Sequence, residues 1–253
     1  MFVKEAGSGV PLVLLHGYCG SHRYWEDAAA LLAERYRVIT PDLRGHGDSP
    51  ATEGAYAMES LAEDTLRLLD QLGLERVFLF GHSLGGYVTL AFAEQHADRL
   101  IGFGLVHSTS YPDTEAARAN RDKAVAAIGQ DGVAAFVDGL VPKLFAPEHR
   151  NEQQGPLSKA LEIGYGTSPR GAIGCALGMR DRPDRTSVLK DASLPILLLA
   201  GEKDEVITEE RRFPASGPHI SQATIAGVGH MSMMENPRAL ADAITAFVQG
   251  TGN

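Results

Sequence analysis

Apolar runs of strand length recur along the chain and alternate with stretches whose apolar residues follow helical spacing. The runs are PLVLLHG (11–17), YRVITPD (36–42), RVFLFGH (76–82), IGFGLVH (101–107), PILLLAG (195–201) and QATIAGV (222–228). Near-continuous apolar strands separated by helices predict an α/β fold, with a mostly parallel central sheet covered on both faces. Met58, Leu61, Ala62, Thr65, Leu69 and Leu72 keep the period of an amphipathic helix, as do Leu240, Ala241, Ile244, Phe247 and Val248. Each helix should lay one face on the sheet. The later one opens with Asn236 as N-cap and Pro237 at its first helical position, and stops at Gly250.

The alternation breaks between residues 109 and 193, where helical spacing dominates. Val133, Phe136, Val137, Leu140, Val141 and Leu144 fit a helix that Pro142 should kink or end. Leu157, Ala160 and Leu161 fit a second, shorter one, and the small residues of GAIGCALGM suit close helix approach. The pattern predicts a core of residues 1–108 and 194–253, with a helical cap inserted at 109–193.

Composition narrows the class. Of 253 residues, 44% are hydrophobic and 22% charged, which suits a soluble globular chain with a sizeable core. A net charge of −9 without a Lys/Arg block disfavours nucleic acid or an anionic membrane as partner. The N-terminal stretch lacks the pattern of a secretory leader, and no apolar run approaches bilayer-spanning length, so a cytoplasmic location is expected. Cys19 and Cys175 are too few for a disulfide framework and should be free thiols.

FLFGHSLGG, residues 78–86, supplies the chemistry. A strand turning sharply into a helix brings the backbone two residues before and after the turn so close that side chains would clash, and Gly81 and Gly85 remove them. Ser83 would then sit strained at the top of the sheet, as a nucleophile does. A serine hydroxyl needs a base and a group to orient that base, in the chain order serine, acid, histidine. PILLLAGEKDEVI offers Asp204 as the acid, with Glu202 and Glu205 as neighbouring competitors. AGVGHMSMM places His230 in a glycine-rich loop as the base. His82 should point to the other side of its strand, His16 and His107 should be structural hydrogen-bond partners, and the remaining histidines have no supporting spacing. The backbone N–H groups of Leu84, at a helix start, and of Tyr18, in HGYCG, are the expected oxyanion donors.

These motifs, with PDLRGHGDS at 41–49 and GEKDEVI at 201–207, resemble the α/β-hydrolase superfamily in its compact branch with a helical cap. The resemblance implies Ser83, Asp204 and His230 as a catalytic triad, Tyr18 and Leu84 as the oxyanion hole, and residues 109–193 as a lid. It leaves Asp42, Arg44 and His46 without a catalytic part. Relatives that open epoxides or remove halide carry an aspartate nucleophile, so the serine turns the expectation away from both. In some lipases the triad acid follows the preceding strand, which here ends LVHSTS without a carboxylate, and this strengthens Asp204.

The expected reaction is hydrolysis of small to medium carboxylic esters through an acyl-enzyme, without metal or organic cofactor and with a small-molecule ester as partner. Turnover should rise with pH as the histidine base becomes neutral. Phe136, Leu140, Leu144, Phe145, Leu177, Met179 and Met231 are candidates for the acyl pocket wall, and core packing explains each at least as well. Carbon–carbon bond hydrolysis, lactone opening, a lyase step like that of menaquinone-pathway synthases, and a slow-turnover ligand receptor remain alternatives on the same triad. The lyase would need arginines converging on the pocket; Arg23 and the MRDRPDR run could supply some, but the acidic neighbours within that run suggest surface pairing.

Overall fold

Residues 1–252, described by the computed structural model, contain the strands β1 (Val3–Ala6), β2 (Pro11–Leu15), β3 (Arg37–Pro41), β4 (Val77–His82), β5 (Leu100–Val106), β6 (Ile196–Gly201) and β7 (Ile220–Ile225). They form one sheet in the order β1-β3-β2-β4-β5-β6-β7, parallel except for β1 against β3. The six predicted strands are present, and β1 is an addition. Its VKEA sequence is short, and three of its four residues are exposed, so it shows no apolar run.

The helices are α1 (Glu26–Leu32), α2 (Met58–Gln71), α3 (Leu84–Gln95), α4 (Glu115–Leu140), α5 (His149–Glu152), α6 (Gln154–Tyr165), α7 (Pro169–Asp181), α8 (Thr186–Asp191), α9 (Glu209–Arg212), α10 (Ser232–Glu235) and α11 (Pro237–Gly250). α1 packs with α11, and α2 with α3. Phe247 of α11 stands edge-on to the stacked rings of Phe78 and Phe80 on β4, at 6.1 and 6.0 Å between centroids. The Asn236 side chain caps α11 by accepting from Ala239 N–H at 3.1 Å.

Register places the chemistry. Leu15 aligns with Gly81, His82 with Val106, Val106 with Leu199, and Gly201 with Ile225. The carboxyl ends of β2, β4, β5, β6 and β7 therefore share one edge of the sheet, where open α/β sheets bind ligands.

Helices α4 to α8 lie between β5 and β6. α4 is longer than the spacing predicts and is broken at Gly132 (φ +83°, ψ 172°), a left-handed position that suits glycine. As expected, it ends just before Pro142, and a 3-10 turn follows at Val141–Leu144. The run 115–144 is long and apolar enough by composition to span a bilayer, contrary to the expectation that none is. Here it packs against α6 and α7.

The small residues of α7 do more than meet another helix. A Cβ at Gly171 would overlap the backbone of Gly45, and one at Gly178 would overlap Tyr56 O. α7 is thus pressed onto the 45–58 loop, where Tyr56 N–H donates to Gly174 O at 2.9 Å and Ser168 N–H to Gly45 O at 3.1 Å.

Arg23 pairs with Glu162 on the surface and Arg180 with Asp122, as the acidic neighbours suggest. Arg182 and Arg185 depart from that expectation, since both are buried. Arg182 binds Asp113 at 2.6 Å and lies 3.8 Å over the Tyr87 ring, and Arg185 joins Glu94 of α3 and Glu59 of α2. Cys19 and Cys175 are free and buried. Burial pushes the Cys175 thiol up to about 12 and raises Cys19 further.

Candidate active site

Ser83 follows the last residue of β4 and precedes the first of α3, and it adopts φ +50°, ψ −111°. A non-glycine residue in that region is strained and must be held by its surroundings. Ser83 N–H donates to Val106 O at 3.0 Å, and Ser83 O accepts from Ser108 Oγ at 2.8 Å. A Cβ at Gly81 would overlap the Gly85 carbonyl, and one at Gly85 would come within 2.6 Å of Leu15 O. The two glycines are the steric condition for the turn.

Asp204 follows β6, and its carboxylate is buried. Oδ1 accepts from the N–H groups of Val206 (2.8 Å) and Ile207 (3.0 Å), which leaves Oδ2 to meet His230 Nδ1 at 2.8 Å. Burial alone would raise this carboxyl, but the imidazoles of His230 and His107 outweigh it and hold Asp204 well below the usual carboxylate range. A carboxylate only accepts, so Nδ1 of His230 carries the hydrogen and Nε2 keeps a free lone pair. Nε2 is buried and has no hydrogen-bond partner, so no hydrogen bond joins it to Ser83 Oγ.

His82, the residue before Ser83, touches the His230 loop. It donates from Nε2 to His230 O at 2.9 Å, and the two rings lie 5.0 Å apart. Glu202 instead accepts from Gly227 N–H, and Glu205 pairs with Arg150, so neither competitor engages His230.

The two expected oxyanion donors flank this turn. Leu84 opens α3, whose first N–H groups have no intrahelical partner. A Cβ at Gly17 would lie 3.4 Å from Ser83 Cβ, so the segment leading into Tyr18 runs alongside the serine. The Tyr18 hydroxyl donates to Ala172 O of α7 at 2.9 Å, and its ring meets Phe136 of α4 at 5.8 Å. Of the candidate wall residues, Phe136 thus reaches Tyr18, while Leu144, Phe145, Met179 and Met231 are buried in the hydrophobic core.

His16 behaves as a structural partner: Nδ1 donates to Gly17 O and Nε2 accepts from Leu43 N–H. Asp42 accepts from His22 and from Asp48 N–H and organises its own loop. His46 is buried beside the His16 ring, 5.1 Å away.

His107 is the structural hydrogen-bond partner expected of it, whereas Glu235 was not foreseen from the sequence. His107, at φ +48°, accepts from Ser232 Oγ at Nε2 (2.7 Å) and holds Nδ1 3.3 Å from Asp204 Oδ2. Together with His230 it completes a cluster in which two imidazoles face one carboxylate oxygen. Glu235, fully buried in α10, accepts from Gly229 N–H (2.9 Å) and Met231 N–H (3.1 Å) at Oε1, and from Ala146 N–H (2.8 Å) and His149 Nδ1 (2.7 Å) at Oε2. The available signal was a lone acid in the methionine-rich run HMSMMEN, five residues after the histidine.

A family model described as the α/β hydrolase fold matches residues 10–237. The chain is 27% identical to 3-oxoadipate enol-lactonase 1 of Acinetobacter baylyi, over 94% of this chain and 89% of that one. It is 32% identical to the dihydrolipoyllysine-residue acetyltransferase component of the acetoin cleaving system of Pseudomonas putida, over 95% of this chain and 64% of that longer protein. Among solved structures, a thermophilic esterase from Thermogutta terrifontis superposes with a TM-score of 0.95 at 31% identity, covering 100% of this chain and 94% of the other.

Proposed function

The chain belongs to the α/β hydrolase family, and from that premise we propose that it is a carboxylic ester hydrolase acting through Ser83, His230 and Asp204. The observation that supports the reading is the buried Asp204–His230 pair, in which Nδ1 is engaged and Nε2 has no partner, on the same edge of the sheet as a serine held at positive φ.

Ser83 Oγ attacks the ester carbonyl while His230 Nε2 takes its proton. The oxyanion is received by the N–H groups of Leu84 and Tyr18, the first at the positive end of the α3 dipole. His230 then returns the proton to the departing alkoxide, and the acyl group stays on Ser83. Water, deprotonated by the same imidazole, attacks the acyl-enzyme and releases the acid, which restores the hydroxyl. Asp204 fixes the tautomer and stabilises the imidazolium formed in each half. In this reading the helices between β5 and β6 serve as the cap, and the contact of Phe136 with the Tyr18 ring supports it.

A lactone is a cyclic ester, and the likeness to an enol-lactonase favours ring opening as a second reading on the same groups. The test is a panel of nitrophenyl esters of graded acyl length together with simple lactones, run with wild type and Ser83→Ala. Turnover by wild type and its loss in the variant are expected. A variant that kept most of its activity would overturn the assignment of the nucleophile, and inactivity of both proteins on every ester and lactone would overturn the substrate class.

A further inference from the structure

Glu235 lies outside the three reacting side chains, yet it binds the peptide groups on both sides of His230. One carboxylate oxygen takes the N–H groups of Gly229 and Met231. The other takes Ala146 N–H and His149 Nδ1, both from the segment between β5 and β6. The His230 main chain is held by neighbouring bonds, with its N–H donating to Leu144 O at 2.7 Å and its carbonyl accepting from His82 Nε2. Gly229 allows the close fit, because a Cβ there would overlap Ala146 N. A loop rich in glycine would otherwise be free to swing, and burying a carboxylate is tolerated only where donors satisfy it, as four do here.

We infer that Glu235 is a positioning residue for His230, clamping the loop that carries the general base to residues 144–149, so that this stretch of the cap is part of the base's mounting. The inference rests on the reading of His230 as general base.

The experiment compares wild type, Glu235→Gln and Ser83→Ala in steady-state ester hydrolysis, at a temperature where circular dichroism shows each folded. In Glu235→Gln an amide NH2 faces N–H donors, so one arm of the clamp opens. The expected result is a kcat lower by about tenfold to a hundredfold with KM changed by less than about twofold, because misplacing the base affects the reacting geometry and not substrate binding. Labelling of Ser83 by a fluorophosphonate should slow in parallel. A purely structural role would lower the melting temperature and leave kcat alone, so a kcat within about twofold of wild type would overturn the inference.

Should the variant not fold, amide hydrogen exchange on wild type decides. The N–H groups of Gly229, Met231 and Ala146 should exchange as slowly as those of β6, and exchange at exposed-loop rates would overturn the clamp. Ser83→Ala separates the two levels. If it stays active, the reaction assignment falls whatever Glu235 does, whereas an inactive Ser83→Ala beside an unimpaired Glu235→Gln removes only the positioning role.

Discussion

Asp204 spends three of its accepted hydrogen bonds on fixing an orientation: two backbone donors set Oδ1, and this leaves Oδ2 aimed at His230. Asp204→Asn keeps the shape but presents an amide that can donate to Nδ1, which would place the imidazole hydrogen on Nε2 and abolish the base. In ester hydrolysis kcat should fall by roughly 10³- to 10⁴-fold, while the far-UV spectrum stays native; a fall of less than about tenfold would show that another group orients His230. Ser83, Asp204 and His230 were legible because each sits at a strand end flagged by glycine or by an acidic turn. His107 was legible as a structural partner but not whom it meets, and Glu235 was not legible at all, since both act through contacts with residues distant in sequence, 97 positions apart for His107 and Asp204 and up to 89 for Glu235 and Ala146. Periodicity reports which face a residue occupies and says nothing of partners brought together by the fold.

Among the elements, α4 and α7 give opposite lessons about glycine. Gly178 meets Tyr56 O directly, so Gly178→Ala must push α7 off the 45–58 loop and should destabilise by about 2 kcal/mol or more. Gly139, helical and with open space around its Cβ position, should gain about 0.5–1 kcal/mol on change to alanine. Thermal melts of the two variants beside wild type check the pair; equal shifts of the same sign would refute this account of the packing. Strands β2 to β6 were readable because buried parallel strands are near-continuous apolar runs, whereas β7, the largely exposed edge strand, showed only a weaker one. The extent of α4 was not readable: EAARANRDKAVAAIGQDG mixes charged, alanine and glycine positions, and the helix crosses it by packing on α6 and α7. The small-residue run of α7 announced a close approach, but its partner is a loop that sequence spacing could not name.

For the whole molecule, the histidines set the response to acid. Burial is the first cause that lowers His16, His82 and His107, and it pushes His46 down to about 3. An unfolded histidine takes its proton near pH 6.5, while these folded ones stay neutral to lower pH. The stability they confer is therefore complete above about pH 6.5 and drains away as pH falls toward their folded values, at about 1.4 kcal/mol per pH unit for each. Asp204 acts in the same direction at lower pH: its depressed folded value gives stability present above about pH 4 and lost as the carboxyl is forced to protonate. The melting temperature should be level between about pH 7 and 8 and fall steeply from about 6.5 to 5. A level profile down to pH 5 would mean that these rings are charged inside the fold.

The order in which the sheet is assembled also divides the chemistry in time. Ser83 and the backbone that cradles it belong to β2, β4 and β5, which are translated long before β7 and the Gly229–Met231 loop. On the proposed reaction, a polypeptide ending short of Gly229 contains the serine and the aspartate but lacks the proton acceptor His230. On that reaction, newly made chains hydrolyse no ester until their last segment has docked.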